Sequence, residues 1–199
     1  VAEYIAECRD MGIKLLPPDV NESDADFTVS GENIRFGLVA IKGIGWGFIE
    51  ELKAERESGG PFRTLDEFCR RMVPRDLNRR AVESLIKAGA FDSLGFKRRA
   101  LLTASGPIID SVTADSRKNI AGQLDLFGMG GDESESESVR TIPLPDVPEF
   151  TRQELMTMER ETTGLYLTGH PMDDYRDRAR DVGAVAIGAI LNDFAEGNP

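Results

Sequence analysis

Residues 41–45 read Ile41-Lys42-Gly43-Ile44-Gly45, an apolar-x-Gly-apolar-Gly string between two short helical patterns. The first covers Leu38 to Lys42 and breaks at Gly43. The second runs from about Trp46 to Glu57 and stops at Ser58, Gly59 and Gly60, since glycine accepts the backbone that closes a helix. Helix, glycine hairpin, helix is the pattern of a helix-hairpin-helix unit. There the first amides of the second helix point outward, and with the helix dipole they hold a phosphate without reading a base. An ordinary capping turn uses the same letters, so the string alone leaves both readings open.

A second, degenerate hairpin follows at Lys87-Ala88-Gly89-Ala90-Phe91, with Lys97, Arg98 and Arg99 close behind. Two such units in tandem are expected to pack as one pseudo-symmetric module. Between them, Thr64 with Glu67 forms a capping box for the helix TLDEFCRRM, and Asn78 caps NRRAVESLIKA, which ends at Gly89. A further helix starts after the Gly95 turn and runs through RRALLTA to near Lys118. Upstream, Val1, Tyr4, Ile5, Cys8 and Met11 recur at helical spacing and stop at Gly12. Pro17 and Pro18 then impose an extended passage, and DFTV and NIRF flank a turn-rich stretch from Ser30 to Asn33, which predicts a small β-hairpin.

The 199 residues are 40% hydrophobic and 30% charged, enough for a modest core. No apolar run reaches the roughly 18 residues needed to cross a bilayer, so no membrane partner is expected. The first ten residues carry acids instead of a basic start and an apolar stretch, which predicts a cytoplasmic protein without a leader. Cys8 and Cys69 stand singly, without metal-ligand spacing, and read as buried thiols. The net charge of −11 by itself argues against a polyanionic partner. Its distribution reverses that: Arg63 to Arg99 holds ten bases against five acids, whereas Ala121 to Glu161 holds ten acids against three bases. A basic module is followed by an acidic linker, and a local field guides a polyanion to the surface it meets.

From about residue 119 to 150 the chain turns to Gly, Ser, acid and Pro, a texture that buries too little apolar surface to offset its ordering entropy. Disorder is predicted there, with ordered helical segments resuming near Thr151. Within the linker lies Gln123-Leu124-Asp125-Leu126-Phe127. Its apolar side chains have no core to join, so an external pocket is the economical partner.

Five strings in order, PPDVNES, IRFGLVAIKGIG, GPFRTLDEFC, LIKAGAFDSLG and GLYLTGHPMDDY, resemble the region after the catalytic palm in C-family bacterial replicative polymerases, the DNA polymerase III alpha subunits. The resemblance covers nearly the whole chain. It implies a mainly α fold with a small β-hairpin: residues 1–35 end the fingers region, 36–117 form the tandem helix-hairpin-helix domain, 118–150 the disordered linker, and 151–199 a helical segment leading toward an oligonucleotide-binding barrel. Gln123 to Phe127 is similar to the pentapeptide by which such polymerases hold the β sliding clamp. The implied partners are double-stranded primer-template DNA, that clamp and other replicase subunits. The parent enzyme would extend primers from dNTPs with Mg2+; this stretch would carry no cofactor, lack the palm carboxylates and incorporate no nucleotide.

The candidate DNA contacts are Lys42, Gly43, Ile44, Gly45, Lys87, Gly89, Lys97, Arg98 and Arg99, with the last three basic residues leading. Gly45 is expected to matter to folding as well as to phosphate approach. Asp24 and Asp26 are spaced to share a face and bind a metal, but paired acids beside a turn read first as solvated. His170, the single histidine, reads as structural, and Trp46 as a core residue rather than a stacking platform. Two other classes remain: a free-standing helix-hairpin-helix repair factor, and a protein-interaction module whose basic stretch is only a solvated face.

Overall fold

The computed structural model describes residues 2–75, 77–126, 142–185 and 187–195. It divides into two units, residues 1–167 and 168–199. The first opens with α1 (Ala2–Asp10), which closes at Gly12 with φ of 77°. Three short strands follow: β1 (Leu15–Leu16), β2 (Thr28–Ser30) and β3 (Asn33–Arg35). The predicted hairpin is β2 and β3, antiparallel with Val29 opposite Ile34. β1 adds in parallel to the other edge of β3, with Leu15 opposite Ile34. A two-residue strand that stops at Pro17 leaves no alternation in the sequence to find it by.

Leu38–Ala40 forms one 3-10 turn rather than a full α-helical turn. Four helices follow in the first unit's central part and its end: α2 (Trp46–Gly59), α3 (Leu65–Met72), α4 (Arg79–Lys87) and the long α5 (Arg98–Leu126). Asn78 caps α4 by accepting from the Ala81 amide at 2.8 Å. Thr64 caps α3 through the Glu67 amide at 3.1 Å, while the Glu67 carboxylate reaches back to the Arg63 amide at 3.0 Å, one residue before the cap. α3 and α4 pack on α5. Their shared core centres on an aromatic chain in which Phe62 meets Phe68, and Phe68 meets Phe91, each edge to face at 5.0 Å. All three rings are buried, and each contributes about 1.5–3 kcal/mol by leaving water.

The predicted disorder does not extend to residues 142–150. This segment is an extended strap whose Ile142 and Leu144 pack against the core. Its Glu149 carboxylate accepts the Arg98 amide at 2.7 Å and the Arg99 amide at 3.1 Å, capping α5 from a distance in sequence. A cap supplied about fifty residues away is invisible to a local reading. The α5 backbone runs past Lys118 to Leu126, and residues 127–141 lie outside the described residues. α6 (Arg152–Thr163) begins with a full capping box between Thr151 and Glu154 and ends at Gly164. The second unit holds a 3-10 turn at Asp173–Tyr175, α7 (Arg176–Asp181) and α8 (Ile187–Ala195).

One buried ion cluster ties these parts of the first unit together. The Arg98 guanidinium, 4% exposed, lies 2.6 Å from the Asp92 carboxylate and 3.0 Å from Glu159 on α6, whose side chain is fully buried. It also donates to the Lys87 carbonyl at 3.2 Å, and Glu159 accepts the Leu167 amide at 3.0 Å. Removing one partner of a buried pair strands the other's charge. We therefore expect Glu159→Ala to destabilise the chain by about 3–5 kcal/mol in urea unfolding; a loss below about 1 kcal/mol would assign the cluster the weight of a surface pair.

Candidate nucleic-acid interface

The two hairpins face opposite fates. In the first, Lys42, Gly43 and Gly45 are exposed, while Ile41 and Ile44 are buried. Gly43 holds φ of 85°, where a side chain is strained, whereas Gly45 has φ of −91° and open space around it. The folding role expected of Gly45 therefore falls to Gly43; a larger residue at 45 would crowd only an incoming ligand. Trp46, expected in the core, is 53% exposed at the start of α2. Gly45 is the N-cap of α2 and offers no capping side chain, and the first turn carries no acid. The leading amides and the positive end of the dipole thus face outward without an internal anion.

Lys42 is held from behind, its amide donating to the Thr162 carbonyl of α6 at 2.8 Å. A cleft of about 300 Å³ opens beside it, lined by Lys42, Gly43, Arg80, Glu83, Ser84, Lys87, Glu161 and Thr162. The fold thus brings Lys42 and Lys87, 45 positions apart, to one cleft and adds Arg80, which the sequence reading counted only as one of many bases. None of these three cations forms an ion pair with another described residue.

The second hairpin turns inward. Ala88, Ala90 and Phe91 are fully buried, and the Ala90 carbonyl accepts the Val20 amide at 2.9 Å. A Cβ on Gly89, at φ of 84°, would collide with the Arg98 guanidinium. Gly89 is thus a packing residue against that ion cluster. Arg98 itself, expected to lead the phosphate contacts, is 3% exposed and fully engaged by Asp92 and Glu159. Its neighbours are partly claimed: Lys97 lies 3.2 Å from Asp146, and Arg99 lies 3.6 Å from Glu154 with its guanidinium 4.3 Å over the Phe150 ring.

The same holds along the basic stretch. Arg70 pairs with Asp66 and Asp115, Arg71 with Glu55 and Glu67, and Arg75 with Glu51 and Glu55. Several of these acids lie outside the stretch whose charge was counted. Much of its positive balance is therefore neutralised within the fold; of the bases in this stretch, Arg63, Arg80 and Lys87 form no ion pair with other described residues, and the last two line the cleft beside Lys42.

The other candidate residues fall away from chemistry. Asp24 bonds Lys53 Nζ at 2.6 Å, and that hydrogen bond, aided by the Ala25 amide, holds its carboxyl below the usual range. Among the described residues no group of three or more His, Cys, Asp and Glu is placed to hold a metal ion. His170 shapes a turn: its Nδ1 accepts the Met172 amide at 3.1 Å, and its own amide donates to Asp173 at 2.7 Å. Burial pushes the Cys69 thiol up to about 12, consistent with an inert core residue. Gln123, Leu124, Asp125 and Leu126 occupy the last turn of the α5 backbone, and Phe127 lies outside the described residues. No helix among the described residues is long and apolar enough to cross a membrane.

The helix-hairpin-helix motif family matches residues 12–101, spanning both hairpins. Curated relatives carry the name DNA polymerase III subunit alpha. That of Saccharopolyspora erythraea is 42% identical over 177 residues, 87% of this chain and 15% of its own length. That of Escherichia coli K12 is 40% identical over 189 residues, 94% of this chain and 16% of its own. The Chlamydia pneumoniae protein is 35% identical over 192 residues, 96% and 15% respectively. The chain thus spans about a sixth of the length of the relatives it matches.

Glu149 gives the interface a titratable edge. Burial alone would raise its pKa, but the Phe150, Arg99 and Arg98 amides together outweigh burial and lower it from the ordinary value of 4.5. A lowered folded pKa means the contact contributes fully above the ordinary glutamate range and is lost as pH falls through the folded value. In an NMR titration, the Arg98 and Arg99 amide shifts should move together with a midpoint below 4.5. A midpoint at or above that value would contradict the capping contact.

Proposed function

The chain belongs by sequence to the DNA polymerase III alpha subunit family, of which it matches one stretch, and on that footing we propose that it grips the sugar-phosphate backbone of duplex DNA without reading sequence. The observation that carries this is the outward face of the first hairpin: the uncapped start of α2 beside Lys42, Arg80 and Lys87, which form no ion pair with other described residues. Amides and a dipole bind phosphate oxygens, and three cations beside them hold neighbouring phosphates. Gly43 and Gly45 let the backbone come close. Exposed Trp46 adds an amphipathic ring at the edge of the contact.

In this reading the parent protein synthesises DNA on a primed template from dNTPs with Mg2+, alongside other replicase subunits in the cytoplasm. The chemistry belongs to parts of the parent beyond this stretch, and the purified chain incorporates no nucleotide. Gln123 to Phe127 docks in the β sliding clamp. Supporting that role are the pentapeptide pattern, Gln followed three positions later by Leu-Phe, and its place in the sequence before an acidic run. The self-pairing of Arg70, Arg71 and Arg75 favours a second reading, a protein-interaction module, in which the cleft cations are only solvated.

Anisotropy with generic duplexes separates the two. Three phosphate contacts give a log-log salt slope of roughly −3, at about −0.9 each. Lys42→Ala, Arg80→Ala and Lys87→Ala together should weaken different duplexes by the same factor and flatten that slope. Unchanged affinity in the triple variant would sink the DNA reading.

The clamp contact is expected in the micromolar range or weaker. Burial of Leu126 and Phe127 contributes about 1.5–3 kcal/mol each, and ordering the segment takes back about 2–5 kcal/mol. Leu126→Ala with Phe127→Ala should abolish binding to the purified clamp while leaving duplex binding intact. Equal clamp affinity for parent and variant would reduce the pentapeptide to chance.

A further inference from the structure

Tandem helix-hairpin-helix units present two helix N-termini, those of α2 and α5, and the structure treats them differently. The start of α2 faces outward with no internal anion. At the start of α5 an anion is already in place. The two Glu149 oxygens accept from two successive amides, Arg98 at 2.7 Å and Arg99 at 3.1 Å. Around it, Asp146 lies 3.2 Å from Lys97 Nζ, and Phe150 lies under the Arg99 guanidinium. A carboxylate bridging the first amides of a helix uses the donors that a phosphate would use. The strap carries its acids to the very bases, Lys97 and Arg99, that would otherwise hold a polyanion.

We infer that the start of α5 is a second backbone-phosphate position, occupied by the chain's own Glu149 and opened when a DNA phosphate displaces the strap. The inference rests on the DNA-binding reading above and adds to it a self-competing site. Two features indicate that the occupancy is exchangeable. Lys97 and Asp146 form an exposed pair, their side chains 49% and 100% accessible, and such pairs hold weakly. Arg99 Nε is buried with no hydrogen-bond partner, so the strap leaves one donor unmet that a phosphate oxygen would satisfy. Ile142 and Leu144 keep the strap's beginning on the core, so only the segment around Asp146 to Phe150 has to swing aside. A tethered carboxylate competes at high effective concentration. The second position therefore engages only on a ligand already held at the first hairpin, which suits a grip on continuous duplex over capture of a free anion.

The test is fluorescence anisotropy of one generic duplex with the purified chain and two variants. Glu149→Ala with Asp146→Asn removes the internal anion; Glu32→Gln with Glu57→Gln removes two exposed carboxylates elsewhere. The strap variant should bind several-fold tighter at low salt, with a log-log slope more negative by about 0.9 per phosphate gained. The charge-matched variant should show a smaller gain and an unchanged slope. Equal gains in both would mean net charge alone is at work and overturn the inference while leaving the DNA-binding reading intact. Failure of all three chains to bind would remove both. Because the strap variant forfeits a helix cap, amide hydrogen exchange on the unmodified chain supplies a second measurement. Duplex DNA should accelerate exchange in residues 142–150, and unchanged or slower exchange there would overturn the inference.

Discussion

The first unit depends on a single buried guanidinium. Arg98 starts α5, Asp92 belongs to the turn after the second hairpin, and Glu159 lies on α6, so one buried cation joins three parts of the chain. Taking such charges out of water costs several kcal/mol per ion. The cost is offset here because the group is saturated from several sides: Asp92 receives both Nε and Nη2, the Lys87 carbonyl receives Nη1, and Glu159 closes the remaining side. A cluster of this kind specifies geometry more than it adds stability. With Arg98 in place, α6 is held against α4, and the Thr162 carbonyl is brought to the Lys42 amide.

That chain of contacts makes the two hairpins unequal. The second, whose glycine lies over the Arg98 guanidinium, becomes part of the interior. The first is supported from behind by α6 and keeps its amides and cations toward solvent. A tandem repeat in sequence thus yields one structural copy and one exposed copy. The division is economical, since a buried hairpin provides the rigid floor on which an exposed one is positioned.

Electrostatics follows the same division. The acids that neutralise Arg71, Arg75 and Arg99 come from α2, α3 and the segment that opens α6. The more exposed of these, such as Arg99 with Glu154, contribute little to stability, but together the pairs cancel positive charge on that face. A net charge of −11 and the proposed contact surface for DNA can coexist because Lys42, Arg80 and Lys87, which form no ion pair with other described residues, line one cleft. On the proposed reading, weak, sequence-blind gripping suits a protein that slides along duplex, and a clamp-docked peptide would strengthen it through effective concentration alone.

By itself the sequence determined the local elements. Gly43 and Gly89 marked both hairpins, Asn78 and Thr64 marked helix starts, and the turn-rich stretch from Ser30 to Asn33 between DFTV and NIRF marked β2 and β3, because caps, turns and periodicity are set by residues a few positions apart. The ordered strings also carried the family. What only the tertiary structure decided was which groups face water. Arg98 and Lys97 read alike as letters, yet one is buried against Glu159, 61 positions away, and the other is exposed. Trp46 was placed in the core and lies outside, while the strap from 142 to 150 was assigned to disorder and caps α5. Each of these outcomes depends on a partner brought near by folding. Burial and charge pairing are properties of that neighbourhood, and no reading of local spacing contains them.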